Sequence, residues 1–135
     1  MSELIDEQRR DGALTTAISD AMVRVLSRYT GRGATSARTT LGRDLIVCVM
    51  GDALTKGEKS LVAHGNREAV LHIRRAFQDA MAQDAVAAVE QLSGRRVVAF
   101  MSHNHIDPDL GVEIFVLDSS AGARELEADL DGATA

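Results

Sequence analysis

The first part of the chain carries apolar residues at helical spacing. They recur at steps of three or four residues, which places their side chains on one face of a helix. We predict a helix over residues 3–29 or 11–29, and Gly31 and Gly33 end it because glycine readily adopts the left-handed conformation found after helices. The apolar face consists of Leu14, Ile18, Met22, Val25 and Tyr29.

A polar strand followed by an apolar one indicates a β-hairpin after this helix. Residues 36–41 are mostly polar, Gly42 and Arg43 form the turn, and residues 44–50 are mostly apolar. The apolar run does not alternate with polar residues, so both faces of its strand should be buried. Helices on one side of the sheet can cover only one of these faces. We therefore expect a second subunit to cover the other.

Two further helices are indicated by a capping signal and a second apolar stripe. Thr55 and Glu58 have the spacing of a capping box, and the short helix that they begin should end near His64. Asn66 is expected to cap a longer helix that continues to about Leu92. The stripe predicted to face the core is Val70, Ile73, Phe77, Met81, Ala85, Ala88 and Leu92.

A second hairpin is predicted near the end of the chain. Residues 96–105 and 111–118 read as strands, and the chain's only proline, Pro108, lies between them. Proline has no amide proton to donate to a sheet, so it belongs in the turn, where the Asp107 side chain can bond nearby backbone amides.

The element order is therefore α-β-β-α-α-β-β. This order predicts a single α+β domain with a mostly antiparallel four-stranded sheet packed with helices. We assign residues 1–11 to an N-terminal extension and residues 12–118 to the domain. Residues 119–135 are rich in Ala, Gly, Asp and Glu, and we expect an acidic, mobile tail there.

Composition narrows the classes of function. The 135 residues carry a net charge of −5, which makes nucleic acid an unfavourable partner for the domain as a whole. The single cysteine, Cys48, excludes a disulfide framework and fits a buried thiol in a reducing compartment. We find neither a secretion signal nor an apolar stretch of the roughly 20 residues that span a bilayer. A cytoplasmic protein without direct membrane insertion is expected.

The second hairpin concentrates imidazole and carboxylate groups around its turn. His103 and His105 share one face of a strand because side chains alternate, and they could bind a divalent ion together with Asp107 or Asp109. The other interpretation is a hairpin corner pinned by Asp107. Ser102 points to the opposite face from His103, which makes a serine–histidine catalytic pair improbable. We predict no cofactor.

A basic segment follows the first predicted helix. Residues 28–43 contain no acidic residue, and their Gly-Arg-Gly sequence would expose backbone amides beside positive charge. Such a loop could bind an anion or an acidic partner, although a helix cap followed by a solvated hairpin explains the same pattern. The candidate residues are Arg28, Arg32, Gly33, Arg38 and Arg43.

Several segments, in order along the chain, resemble the MpsC-type domain, a small bacterial family named for a Na+-translocating, membrane potential-generating system. The resemblance covers about residues 12–118, and the segments that carry it are residues 29–38, 54–61, 73–78, 94–109 and 112–117. The family often has an acidic residue at the position of His103, which weakens a two-histidine metal site here. The resemblance supplies no catalytic residue.

The resemblance implies a non-enzymatic accessory domain that acts beside a Na+-linked or bicarbonate membrane transport system. Together with the composition and the apolar strand, it leads us to expect a cytoplasmic homodimer. Two alternatives stay open. The helix and hairpin order, together with the Gly-Arg-Gly loop, would also suit an RNA- or ribosome-associated KH-like module. A small metal-dependent hydrolase would use His103, His105, Asp107 and Asp109.

Overall fold

Residues 2–118, which are the part of the chain that the computed structural model describes, form three helices and one four-stranded antiparallel sheet. The predicted α+β class and the element order are confirmed. The tail predicted for residues 119–135 lies outside the described residues. In chain order the elements are α1 (Ser2–Thr30), β1 (Ser36–Leu41), β2 (Leu45–Gly51), α2 (Lys56–Ala63), α3 (Arg67–Ser93), β3 (Val97–His105) and β4 (Leu110–Leu117).

The strand order of the sheet is β1-β2-β4-β3. Each predicted hairpin forms, and the sheet is completed by the pairing of β2 with β4, in which Cys48 lies opposite Glu113. The two apolar strands therefore occupy the centre of the sheet. β1 and β3 are its edges.

Helices α1 and α3 pack against each other and against one face of the sheet, which we call the inner face. The core beneath them contains Ile18 and Met22 from α1, Met81 from α3, and Ile46 and Phe115 from the sheet. Helix α2 packs on α3 and covers a smaller cluster. The other side of the sheet, the outer face, receives no helix from the described part of the chain.

The helix boundaries agree with the sequence except in three details. Helix α1 begins at Ser2, so residues 2–11 of the predicted N-terminal extension belong to the helix. Asn66 precedes α3 as predicted, but its side chain makes no capping hydrogen bond. In the stripe predicted for α3, Ile73 and Leu92 are 37% and 40% exposed, whereas Val89 is fully buried.

Candidate functional site

The outer face of the sheet is apolar. Strand alternation places the odd-numbered residues of β2 and the even-numbered residues of β4 on this face. Leu45 and Val49 of the central strand β2 are 41% and 40% exposed there, and Met101 of the edge strand β3 is 51% exposed, so large apolar side chains meet solvent on this face. The central part of the face also includes Val47, Val112, Ile114 and Val116.

Charge is nearly absent from the outer face. Among its strand residues in the described chain there is no Asp or Glu, and Arg38, which lies opposite Val49, is the single Arg or Lys. His103 and His105 lie towards the β3 edge. A flat, neutral, apolar surface can pack against another surface of the same kind, which makes the outer face the strongest candidate interface of the molecule.

The inner face contrasts with it because a row of polar side chains crosses all four strands beneath the helices. Thr39, Cys48, Glu113 and Ser102 are direct neighbours on adjacent strands. Thr39 Oγ1 lies 2.8 Å from the hydroxyl of Ser19 on α1, which extends the row to the helix layer. Burial raises the pKa of the Cys48 thiol, so this cysteine is a poor nucleophile.

Glu113 is the charged member of this row, and its side chain has no cationic partner among the described residues. It is 7% exposed, and burial raises its pKa from the ordinary 4.5 to about 7. Ser102 lies close enough to oppose that rise, but its Oγ makes no hydrogen bond of normal geometry, so burial prevails. Near neutral pH the carboxyl is therefore divided between its protonated and ionised forms.

A buried ion pair links the start of α2 to α3. Arg74 donates from Nε to Glu58 Oε2 at 2.8 Å and from Nη2 to the carbonyl oxygen of Ala53 at 2.7 Å. Burial acts to raise the pKa of Glu58, but hydrogen bonds from Arg74 and from the backbone amide of Thr55 outweigh it and hold the pKa below its ordinary value. The same carboxylate completes the predicted capping box with Thr55, which is confirmed.

The residues of the predicted basic site have separate partners. Arg28 pairs with Asp84 of α3 at 3.4 Å. Arg32 pairs with Asp52 at 2.9 Å and also donates to the carbonyl oxygens of Asp52 and Leu54. Hydrogen bonds from Lys59 and then Arg32 lower the pKa of Asp52 to about 2. The guanidinium of Arg32 is thus used to hold the loop after β2.

The other three members of that set lie apart. A Cβ atom on Gly33 would approach Val23 Cγ1 to 2.8 Å, so this glycine permits the close approach of the loop to α1. Arg38 is on the outer face of the edge strand β1. Arg43 lies in the β1–β2 turn, where its carbonyl oxygen accepts a hydrogen bond from Arg95. An anion site built from this set remains a prediction.

The polar corner of the second hairpin is organised by backbone contacts. His105 Nδ1 lies 2.7 Å from the carbonyl oxygen of Pro108, and Asp109 Oδ2 accepts from the amide of Leu54 at 3.0 Å. Asp107 is exposed. Within residues 2–118 no three His, Cys, Asp or Glu side chains are grouped so that they could hold a metal ion, so His103, His105, Asp107 and Asp109 do not converge as a ligand set.

Sequence reasoning missed three features: the Glu58–Arg74 pair, the role of Asp52, and the buried Glu113. The first had a signal, because Arg74 lies at a buried position between Val70 and Met81 on α3. Glu113 also had one, as the single carboxylate in an otherwise apolar strand. Asp52 had none, since its partners come from two separate segments, the loop after α1 and helix α2.

Comparison with known proteins gives one match. The family model described as Na+-translocating membrane potential-generating system (MpsC) matches residues 10–119, most of the chain, so the resemblance seen in the sequence is confirmed. No curated protein and no solved structure matches. In the part of the chain that the structure describes, no helix has the length and apolar character needed to cross a bilayer.

Proposed function

Because the chain belongs to the MpsC family, we propose that it is a non-enzymatic, cytoplasmic accessory domain of a Na+-translocating membrane potential-generating system. The match over residues 10–119 is the observation that carries this proposal. A domain without a membrane-crossing helix in residues 2–118 would act on such a system through contact with its membrane components.

The buried ionisable groups support a non-enzymatic role. Glu58 and Arg74 neutralise each other inside the structure, and the Cys48 thiol is fully buried with a raised pKa. Neither arrangement presents a reactive group to a substrate.

We further propose that the domain acts as a homodimer in which two outer faces pack together. A face of four strands about 4.8 Å apart and about six residues long measures roughly 400 Å² in flat projection. Two such faces would cover about 800 Å² in projection, below the roughly 1,200 Å² of total area at which standard specific interfaces begin, so side-chain relief and the flanking loops must supply the remaining area.

Charge favours a second copy over a different partner. A face with a single arginine and no carboxylate among its strand residues offers no charge pattern for a charged partner to match, whereas it can meet its own copy without repulsion between acidic groups. Self-complementary packing about a two-fold axis is also the commonest arrangement in homo-oligomers. The second copy would bury the apolar side chains that the helices leave exposed.

Co-purification from the native host tests the functional proposal. A tagged chain is captured from detergent-solubilised membranes, its partners are identified, and the Na+-dependent membrane potential is measured with and without the gene. We expect a multi-span ion transporter among the partners and a lower potential in cells that lack the chain. Recovery of ribosomal proteins instead, with an unchanged potential, would contradict the proposal and favour the RNA-associated alternative.

A further inference from the structure

A groove runs between α3 and the edge strand β3, and neither the dimer interface nor the family match assigns it a role. Its volume is about 270 Å³. Helix α3 contributes Arg67, Arg74 and Arg75, and β3 contributes Ser102 and both of its histidines.

The groove is basic although the protein is acidic. None of the residues that line it is Asp or Glu, whereas the whole chain has a net charge of −5. Arg67 and Arg75 carry positive charge that no acidic residue of the lining offsets, whereas Arg74 is neutralised by Glu58, and the field of such a concave site attracts anions. This separation of charge is the first argument for a binding site.

The arginines differ in how firmly they are held. Arg74 is 2% exposed and is fixed by Glu58 and by the carbonyl oxygen of Ala53. Its Nη1 makes no hydrogen bond to any described residue. Arg67 and Arg75 are exposed and form no ion pair within residues 2–118. The groove therefore combines one oriented guanidinium with two whose donors are free for a ligand.

The strand side of the groove supplies a neutral donor. The Ser102 hydroxyl is buried and has no hydrogen-bond partner among the described residues. Buried polar atoms usually find partners, and rotation of this hydroxyl about the Cα–Cβ bond, away from Glu113, would bring it to a ligand oxygen in the groove. Leu71 and Ile106 add apolar surface to the same lining, which contains no Phe, Tyr or Trp on which a nucleobase could stack.

We propose that this groove binds a small, non-aromatic anion through its phosphate or carboxylate group. Arg67 and Arg75 contact the charged oxygens, and Ser102 donates to one of them. The volume admits a molecule of metabolite size and excludes a folded chain. His103 and His105 border both the groove and the outer face, but Arg67, Arg75 and Ser102 lie outside that face, so anion binding is tested apart from the dimer.

Titration calorimetry at low salt with pyrophosphate and with citrate tests the site. The two probes distinguish a preference for phosphate groups from a preference for carboxylate groups. The wild type is compared with Arg67→Gln/Arg75→Gln and with a control of equal charge loss, Arg9→Gln/Arg96→Gln, which changes exposed arginines outside the groove. We expect at least one probe to bind with a sub-millimolar Kd, and the groove variant to weaken it at least tenfold. The control should stay within about twofold of the wild type, the level of small surface effects.

A third variant separates specific contacts from general attraction. Ser102→Ala leaves the charge unchanged and should weaken the bound probe several-fold, because one neutral hydrogen bond is lost. Absence of binding by both probes would overturn the proposal. So would an equal loss of affinity in the groove variant and in the arginine control, since that result would mean non-specific attraction to positive charge.

Discussion

Glu113 shows how the position of one residue in the sheet changes its chemistry. It lies on the inner face between Cys48 and Ser102, where α1 and α3 exclude water. In an unfolded chain the same carboxyl would ionise near its ordinary value of 4.5, but in the folded protein its pKa is about 7. Folding therefore favours the protonated form over this interval.

The contribution of Glu113 to the stability of the protein should consequently fall as the pH rises from about 4.5 to about 7. Its contribution is fully present below pH 4.5 and lost above pH 7, because only the unfolded state releases the proton easily in between. Glu113→Gln removes this pH-dependent contribution, because an amide does not titrate. Denaturant unfolding at pH 5 and pH 8 measures this effect. From pH 5 to pH 8 the free energy of unfolding of the variant should rise relative to that of the wild type by on the order of 3 kcal/mol at most.

Glu7→Gln is the matched control, because Glu7 is exposed on α1. It should leave the difference between the two pH values unchanged. A parallel pH dependence for the Glu113→Gln variant and the wild type would contradict the assignment.

At the scale of elements, apolar periodicity together with capping and turn signals predicted every helix and strand of the described chain. The two long helices each have an apolar stripe, α2 has a capping box, and each hairpin has a distinct turn signal. One core position of α3 was assigned to the wrong residue. Arg74 occupies that position, but the prediction considered apolar residues alone and assigned the exposed Ile73 to the core. The spacing of Arg74 from Val70 was a signal for a core position, but placing an arginine there required knowing that Glu58, on another helix, neutralises it.

The start of α2 could be predicted from neighbouring residues alone, because both members of its capping box lie within four residues of each other. The Thr55 side chain accepts from the amide of Glu58, and the Glu58 side chain accepts from the amide of Thr55. Thr55→Ala should destabilise the protein by about 1 kcal/mol, within the usual range of roughly 0.5–2 kcal/mol for a lost N-cap. Thermal or denaturant unfolding measures this effect.

Ser60→Ala is the control within the same helix, because Ser60 is exposed and alanine favours helix. It should be neutral or slightly stabilising. A Thr55→Ala variant no less stable than the Ser60→Ala variant would show that the cap contributes nothing measurable.

At the scale of the whole molecule, the sequence predicted the sheet but not its strand order. Each hairpin is local, whereas the pairing of β2 with β4 joins segments separated by both later helices. The candidate sites were less predictable still. The Arg28 to Arg43 set looks continuous in sequence, yet Arg28 pairs with α3 and Arg32 with the loop after β2. The groove at β3 draws on residues from two distant segments.

The unalternating apolar strand did indicate that both faces of β2 should be buried. In the single chain, Leu45 and Val49 on the outer face are instead 41% and 40% exposed. Surface of this kind is commonly covered by another molecule because its exposure to water is unfavourable. Covering of the outer face by a second copy is the central structural claim of this account.

Sedimentation equilibrium at micromolar concentration tests that claim most directly, with the wild type beside Val49→Glu/Ile114→Glu. The control is Leu4→Glu/Ile5→Glu, which changes two exposed apolar residues at the start of α1, away from the sheet. The wild type and the control should sediment as dimers of about 29 kDa, twice the 14.5 kDa chain, and the outer-face variant as a folded monomer. A monomeric wild type, or an outer-face variant that still forms the dimer, would contradict the account.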